Sequence, residues 1–206
     1  MNHKVQSVQT LYEDANDLFR RYVMGSEETS ADSIINNLGN GINILKNCWK
    51  GKDAGVQINN IVTVFNGMVD IRNALLQLAI DSSKIASNYR EIQNSNGANL
   101  ETLMPLMADV KTKLPPYVDA NGDTVSITPE ANEGKAKVDT ATSAMNGFIQ
   151  NVNRTYHKIM ENWTIGTGRD KAVEAFNAFM SKSKMYQQTL SDVSQSISTA
   201  VKNYSF

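Results

Sequence analysis

Residues 172–204 read AVEAFNAFMSKSKMYQQTLSDVSQSISTAVKNY. Within them Ala172, Phe176, Phe179, Ser183, Tyr186, Leu190, Val193, Ile197, Ala200 and Tyr204 are separated by four and three positions in alternation. That spacing is a heptad seam, which lays one apolar stripe along a long helix. Ser183 is its one clearly polar member.

The same phase recurs when the frame is moved back to Ala54. Ile58, Ile61, Phe65, Met68, Arg72, Leu75, Ala79, Ser82 and Ala86 follow in the same alternation. Arg72 interrupts this stripe, and Ile71 and Leu78 indicate that the buried face drifts there. Each long helix begins shortly after a tryptophan, Trp49 or Trp163, and each tryptophan is preceded by another periodic segment. Before Trp163 these are Val138, Ala141, Met145, Phe148, Val152, Thr155 and Ile159, with Pro129-Glu130 as a start suited to the first helical turn. Before Trp49 they are Ile34, Leu38, Ile42 and Leu45. Gly39 and Gly41 weaken this helix by about 1 kcal/mol each relative to alanine, and mark either a break or a close approach. Upstream, Val5, Val8, Tyr12, Ala15, Phe19 and Tyr22 form another stripe. It is interrupted over residues 25–30, where Ser30 is a suitable N-cap.

The plan is therefore a repeat of helix, tryptophan–glycine turn and long helix. It predicts an all-α protein of two helical hairpins in tandem, packed as an antiparallel four-helix bundle. The units are residues 1–96 (first hairpin with an N-terminal helical extension), 97–128 (linker) and 129–206 (second hairpin). In the linker, 98–113 reads as a short helix interrupted at Pro105 and stopped by Leu114-Pro-Pro-Tyr117. Residues 118–127 read as a small β-hairpin around Asn121-Gly122, a pair that suits a type I′ turn. All four prolines fall between Pro105 and Pro129, so both flanks are free to form long helices.

Composition narrows the function. Among 206 residues the net charge is −1, which offers no basic excess to hold a phosphate backbone, so no nucleic-acid partner is expected. Cys48 is the single cysteine and cannot form an intrachain disulfide. The first residues have no apolar core and do not read as a cleaved secretory signal. The most apolar run, Ala74 to Ile80, is far short of the roughly 20 residues that span a bilayer.

Few residues suggest chemistry. Asp119-x-Asn121-x-Asp123 with Glu130 partly resembles a calcium loop, but Thr124 stands where that loop needs glycine. His3 and His157 are the only histidines; a Cys48–His157 pair is neither supported nor excluded by sequence. No motif of a hydrolase, zinc protease or P-loop is present. The expectation is a non-enzymatic protein without cofactor or metal.

The turns carry the sharper signal. Trp49-Lys50-Gly51 is a W-x-G motif, and Trp163-Thr-Ile-Gly166-Thr-Gly168 is a looser version. Glycine lets the chain reverse, while tryptophan either covers the end of the seam or stands exposed as an anchor for a partner. In this arrangement both halves resemble WXG100 (ESAT-6-like) proteins, and the chain resembles a dimer of them fused into one polypeptide. The resemblance implies a substrate or accessory protein of a type VII secretion system, exported without a cleaved signal. Its partners would be another α-helical secreted protein or toxin and/or the secretion ATPase. Trp49, Gly51, Trp163, Gly166 and Gly168 would form the turn and recognition motif, with Trp49 serving recognition more than folding. The Y-x-x-x-D/E signal of many exported members is not matched: Tyr89 is followed at that spacing by Gln93. Two further readings share the fold, a cytoplasmic helical scaffold or toxin chaperone and a membrane-active helical toxin component.

Overall fold

The computed structural model describes residues 7–119, 124–163 and 167–204. Ser7 caps the first helix by accepting from the Thr10 amide, and α1 runs Val8–Asp17. It passes without a break into a π-helical segment, Leu18–Val23, that buries Leu18, Tyr22 and Val23. Ser30 is the N-cap expected, accepting from Ser33 N at 3.1 Å, and α2 spans Ala31–Cys48. A two-residue strand β1 (Trp49–Lys50) leads to α3 (Lys52–Ser95). After the linker come β2 (Ser126–Ile127), α4 (Ala131–Asn162) and α5 (Thr167–Tyr204).

The fold is all-α, built from two hairpins, α2/α3 and α4/α5. In cross-section α2 adjoins α3 and α4, while α5 adjoins both α3 and α4; α1 lies over α3 and α4. The hairpins run antiparallel. Gly41, late in α2, packs against Gly134, early in α4, whereas Thr29, ahead of α2, meets Gly147. Likewise Gly67 of α3 faces Tyr186 of α5, and Asp81, further along α3, faces Gly168 at the start of α5. The two tryptophan turns therefore lie at opposite ends of the bundle, and a single apolar core runs through both hairpins.

The glycines of α2 mark a close approach and not a break, because the helix is continuous through them. A Cβ on Gly134 would lie 2.8 Å from Leu45 Cγ, and one on Gly41 would lie 3.2 Å from the Gly134 carbonyl. The missing side chains let α2 and α4 meet backbone to backbone.

The drift expected along α3 is real and broad. Ile71, Leu78 and Arg72 are buried together with the heptad positions. This helix has neighbours on most of its circumference (α1, α2, α5 and the linker), so its buried face is wider than a seam.

The linker corrects the expected short helix: residues 98–118 run without helix. Three asparagines of α3, spaced seven apart, hold this strap by its backbone. Asn59 donates to Tyr117 O at 2.9 Å and accepts from Tyr117 N at 2.7 Å. Asn66 does the same to Leu114 at 2.9 and 2.8 Å, and Asn73 to Lys111 at 2.8 and 2.9 Å. Fourteen residues of helix rise about 21 Å, and six residues of extended chain cover about 20 Å, so every third strap residue meets an amide. Pro115 and Pro116 fall between clamped positions, where no N–H is required. A helix over 98–113 would satisfy its own backbone and leave these amides without the strap, and the prolines disfavour it.

The linker does supply strand, and its partner is remote in sequence. Ser126–Ile127 pairs antiparallel with the first turn, Trp49 opposite Ile127 and Lys50 opposite Ser126. The expected turn at Asn121-Gly122 lies outside the described residues.

Candidate functional site

The first turn is held on all sides by backbone bonds. Trp49 ends α2, donating its N–H to Leu45 O, and Thr128 N donates to Cys48 O at 3.0 Å. Gly51 adopts φ +111°, a conformation that side chains resist, and a Cβ there would lie 3.3 Å from Thr124 O. Its N–H donates to Asp119 Oδ2 at 2.7 Å, so the carboxylate of the linker serves the N-terminus of α3 in place of a capping side chain. The Lys50 ammonium reaches back to the Lys46 carbonyl.

Beside this turn opens a cleft of about 630 Å³. Lys50, Lys52, Asp53 and Gln57 form one wall, and Asp192, Gln195, Thr199 and Asn203 of α5 form another. The two walls belong to different hairpins, so the cleft exists only because the hairpins pack antiparallel. Its rim is polar and carries both signs of charge.

The tryptophans are inside. Trp49 and Trp163 are each 4% exposed and belong to the apolar core. Burial excludes Trp49 as a protruding anchor and makes it the cover at the end of the seam. Burial of the indole favours folding over recognition as its role, a balance that Trp49→Ala measures. At the second turn Trp163 N donates to Ile159 O at 2.9 Å, and Arg169 Nε donates to Trp163 O at 3.0 Å. Gly168 is close to both Trp163 and Asp81: a Cβ there would lie 2.6 Å from Asp81 Oδ2. Gly166 lies outside the described residues. The two turns are thus not one site; each closes its own end of the bundle.

The remaining candidates separate. Cys48 is buried at the first turn, while His157 lies 26 residues along α4 from Ala131, about 39 Å of helix away. His157 is exposed and packs edge-on against Tyr156, with ring centroids 5.4 Å apart. In the calcium-like run Asp119 is committed to Gly51, Glu130 is held below the usual carboxylate range by a hydrogen bond from Thr128, and Asn121 and Asp123 lie outside the described residues. Among the described residues no group of three His, Cys, Asp or Glu side chains is placed to hold a metal, and no helix is long and apolar enough to cross a membrane.

Burial pushes the Cys48 thiol above its ordinary pKa, with Glu130 adding to the effect and Lys50 opposing it. The folded state thus holds this proton more tightly than the unfolded chain does. The associated stability is complete below the ordinary thiol pKa and is lost as pH rises through and beyond it. Alkylation of Cys48 at pH 8 is expected to be at least about tenfold slower in the folded protein than in denaturant. Equal rates would show an open site.

Sequence reading missed Asn59, Asn66 and Asn73, which organise the strap, and marked Arg72 only as an interruption of the α3 stripe. The heptad spacing of the asparagines was the available signal. No family model, no curated protein and no solved structure matches the chain.

Proposed function

We propose that this chain is a non-enzymatic substrate or accessory protein of a type VII secretion system that binds another α-helical protein. In this reading one polypeptide does what two WXG100-type chains do as an antiparallel pair. The observation that carries it is the placement of two tryptophan turns at opposite ends of an antiparallel four-helix bundle. The seams of the two hairpins already satisfy one another in a common core. A partner therefore binds an outer surface and does not replace a hairpin. The composite cleft at the first turn is the surface we assign to it, with the polar rim taking the role that the buried indole cannot.

The experiment is deletion of the secretion ATPase in the source bacterium, followed by measurement of this protein in cells and culture supernatant. Export predicts loss from the supernatant with retention in cells; unchanged supernatant levels would sink it. The unmatched Y-x-x-x-D/E signal favours a second reading, a cytoplasmic chaperone for a helical toxin. Its mark would be co-purification with such a partner from cytosol, with none of this chain outside the cell under any condition.

A further inference from the structure

We propose that the asparagine face of α3 is a binding site for an extended polypeptide segment of a partner, and that the strap of residues 98–118 occupies this site in the free protein. The inference stands whether or not the chain is exported.

The face reads backbone. Besides Asn59, Asn66 and Asn73, Asn94 meets both the carbonyl and the amide of Leu100, at 3.0 and 2.9 Å. A primary amide presents one donor edge and one acceptor edge, the complement of a single peptide residue in extended conformation. Such a clamp asks only that the held residue not be proline. Four further contacts also go to the strap main chain: Arg72 to Asp109 O at 2.7 Å, Arg90 to Glu101 O at 2.8 Å, Tyr12 to Met104 O at 2.8 Å, and Leu106 N to Ser83 Oγ at 2.9 Å.

Side chains anchor the strap at few places. Leu103 and Leu106 are buried, whereas Met104, Met107, Val110 and Val118 are 69%, 82%, 69% and 81% exposed. The strap is thus held mainly by bonds that water can replace, each contributing only about 0.5–1.5 kcal/mol net. Leu103 and Leu106 join the edge of the common core, with Ala108, Leu114 and Tyr117 packed against it, whereas the seams themselves are formed by residues of the helices.

Charge narrows the occupant. Lys111 lies 3.5 Å from Asp32, and Lys113 lies 2.7 Å from Asp70. Two carboxylates therefore border the clamped half of the site. The partner segment is extended, carries two leucine-like residues three positions apart, and has basic residues about five to seven positions beyond the second of them, as the strap does. Because the strap is tethered at both ends, its local concentration is on the order of millimolar, and a free segment competes poorly until the strap is loosened.

The test uses a fluorescent synthetic peptide of residues 98–118 and the full chain, either wild type or Leu103→Asp/Leu106→Asp, which loosens the strap and leaves α3 untouched. Anisotropy is expected to show at least about tenfold tighter peptide binding to the double variant. N-methylation of the peptide at Lys111, Leu114 and Tyr117 removes only the three clamped N–H groups and should weaken binding at least about thirtyfold. A peptide in which only the exposed side chains of Met104, Met107, Val110 and Val118 are permuted should bind within about threefold. Should the double variant fail to fold, hydrogen exchange at these three strap amides in the wild type, with excess peptide, decides instead; faster exchange is expected. Equal binding of the N-methylated peptide, no binding to a folded variant with a freely exchanging strap, or unchanged exchange in the wild type would overturn the proposal. So would a concentration-dependent dimer that exchanges straps, which would make the occupant a second copy.

Discussion

Trp49→Ala is expected to lower the unfolding free energy by about 3–5 kcal/mol, the range for emptying a buried tryptophan site. For a chain of 206 residues this corresponds to a fall in Tm of about 6–20 °C. Trp49 is 4% exposed, sits in the common core, ends α2 and pairs through its backbone with Ile127. Losing the indole leaves a cavity where α2, α3 and the β2 segment converge, beside the cleft that Trp49 also lines. Trp49→Phe keeps most of the apolar volume and should cost less than half as much. Urea denaturation with circular dichroism measures both variants. A Tm for Trp49→Ala within a few degrees of wild type, read by thermal denaturation in the same spectrometer, would restore the indole to a recognition role. A partner-binding loss seen only in proportion to the unfolded fraction would assign the turn to folding alone.

Much of the bundle was legible because seams advertise themselves. Ala172, Phe176, Phe179, Tyr186, Leu190, Val193 and Ile197 are all buried, as the alternation of four and three requires. Even Ser183 fits: it is 5% exposed and donates its hydroxyl to Met180 O at 2.9 Å, so no partner outside the helix is needed. That the hairpins pack on each other did not follow from periodicity, because each half could equally have met a separate partner; the contacts of Gly41 with Gly134 and of Gly67 with Tyr186 decide it. Whether Gly39 and Gly41 break α2 was not decidable from propensity. The answer lies with Gly134, more than ninety positions away in sequence and in direct contact across the helix crossing.

The linker and the burial of the tryptophans were less legible, for a common reason. Periodicity reports apolar faces, whereas the strap is placed by polar side chains bonding remote main chain. Asn59, Asn66 and Asn73 carry a heptad spacing of their own, but exposed asparagines on a helix are ordinarily read as solvated. In the segment 98–113, expected as a short helix, the buried Leu103 and Leu106 are three apart. The same spacing serves an extended chain with every third residue turned inward. Likewise, a tryptophan at a turn is compatible with cover or anchor until the segment that closes over it is known. Here that segment is Ser126–Ile127, which no local rule pairs with Trp49–Lys50.

Arg72→Leu is expected to cost about 3 kcal/mol, the lower part of the range for breaking a buried ion pair by removing one partner. Arg72, which interrupts the α3 stripe, has a side chain only 3% exposed. Its Nε donates to Asp32 Oδ1 at 3.0 Å, and its Nη1 donates to Asp109 O at 2.7 Å and to Asn73 Oδ1 at 3.2 Å. One guanidinium thus ties the first turn of α2, the strap and the asparagine ladder to α3. Leucine would suit the stripe by volume, so a small effect would follow if the stripe alone mattered. The loss is expected because Asp32 is itself mostly buried and would keep only Lys111, at 3.5 Å. Arg72→Lys should recover little, since an ammonium cannot reproduce the planar fork that reaches separate acceptors. Adding Asp32→Leu to Arg72→Leu removes the stranded charge and should return at least about half of the lost stability, because paired burial and apolar replacement differ far less than a broken pair. The coupling should change little between 0.05 and 0.5 M salt, as screening reaches a buried pair weakly. If Arg72→Leu stays within about 1 kcal/mol of wild type, the guanidinium is an accommodated defect of the seam. The strap would then depend on its asparagine clamps alone.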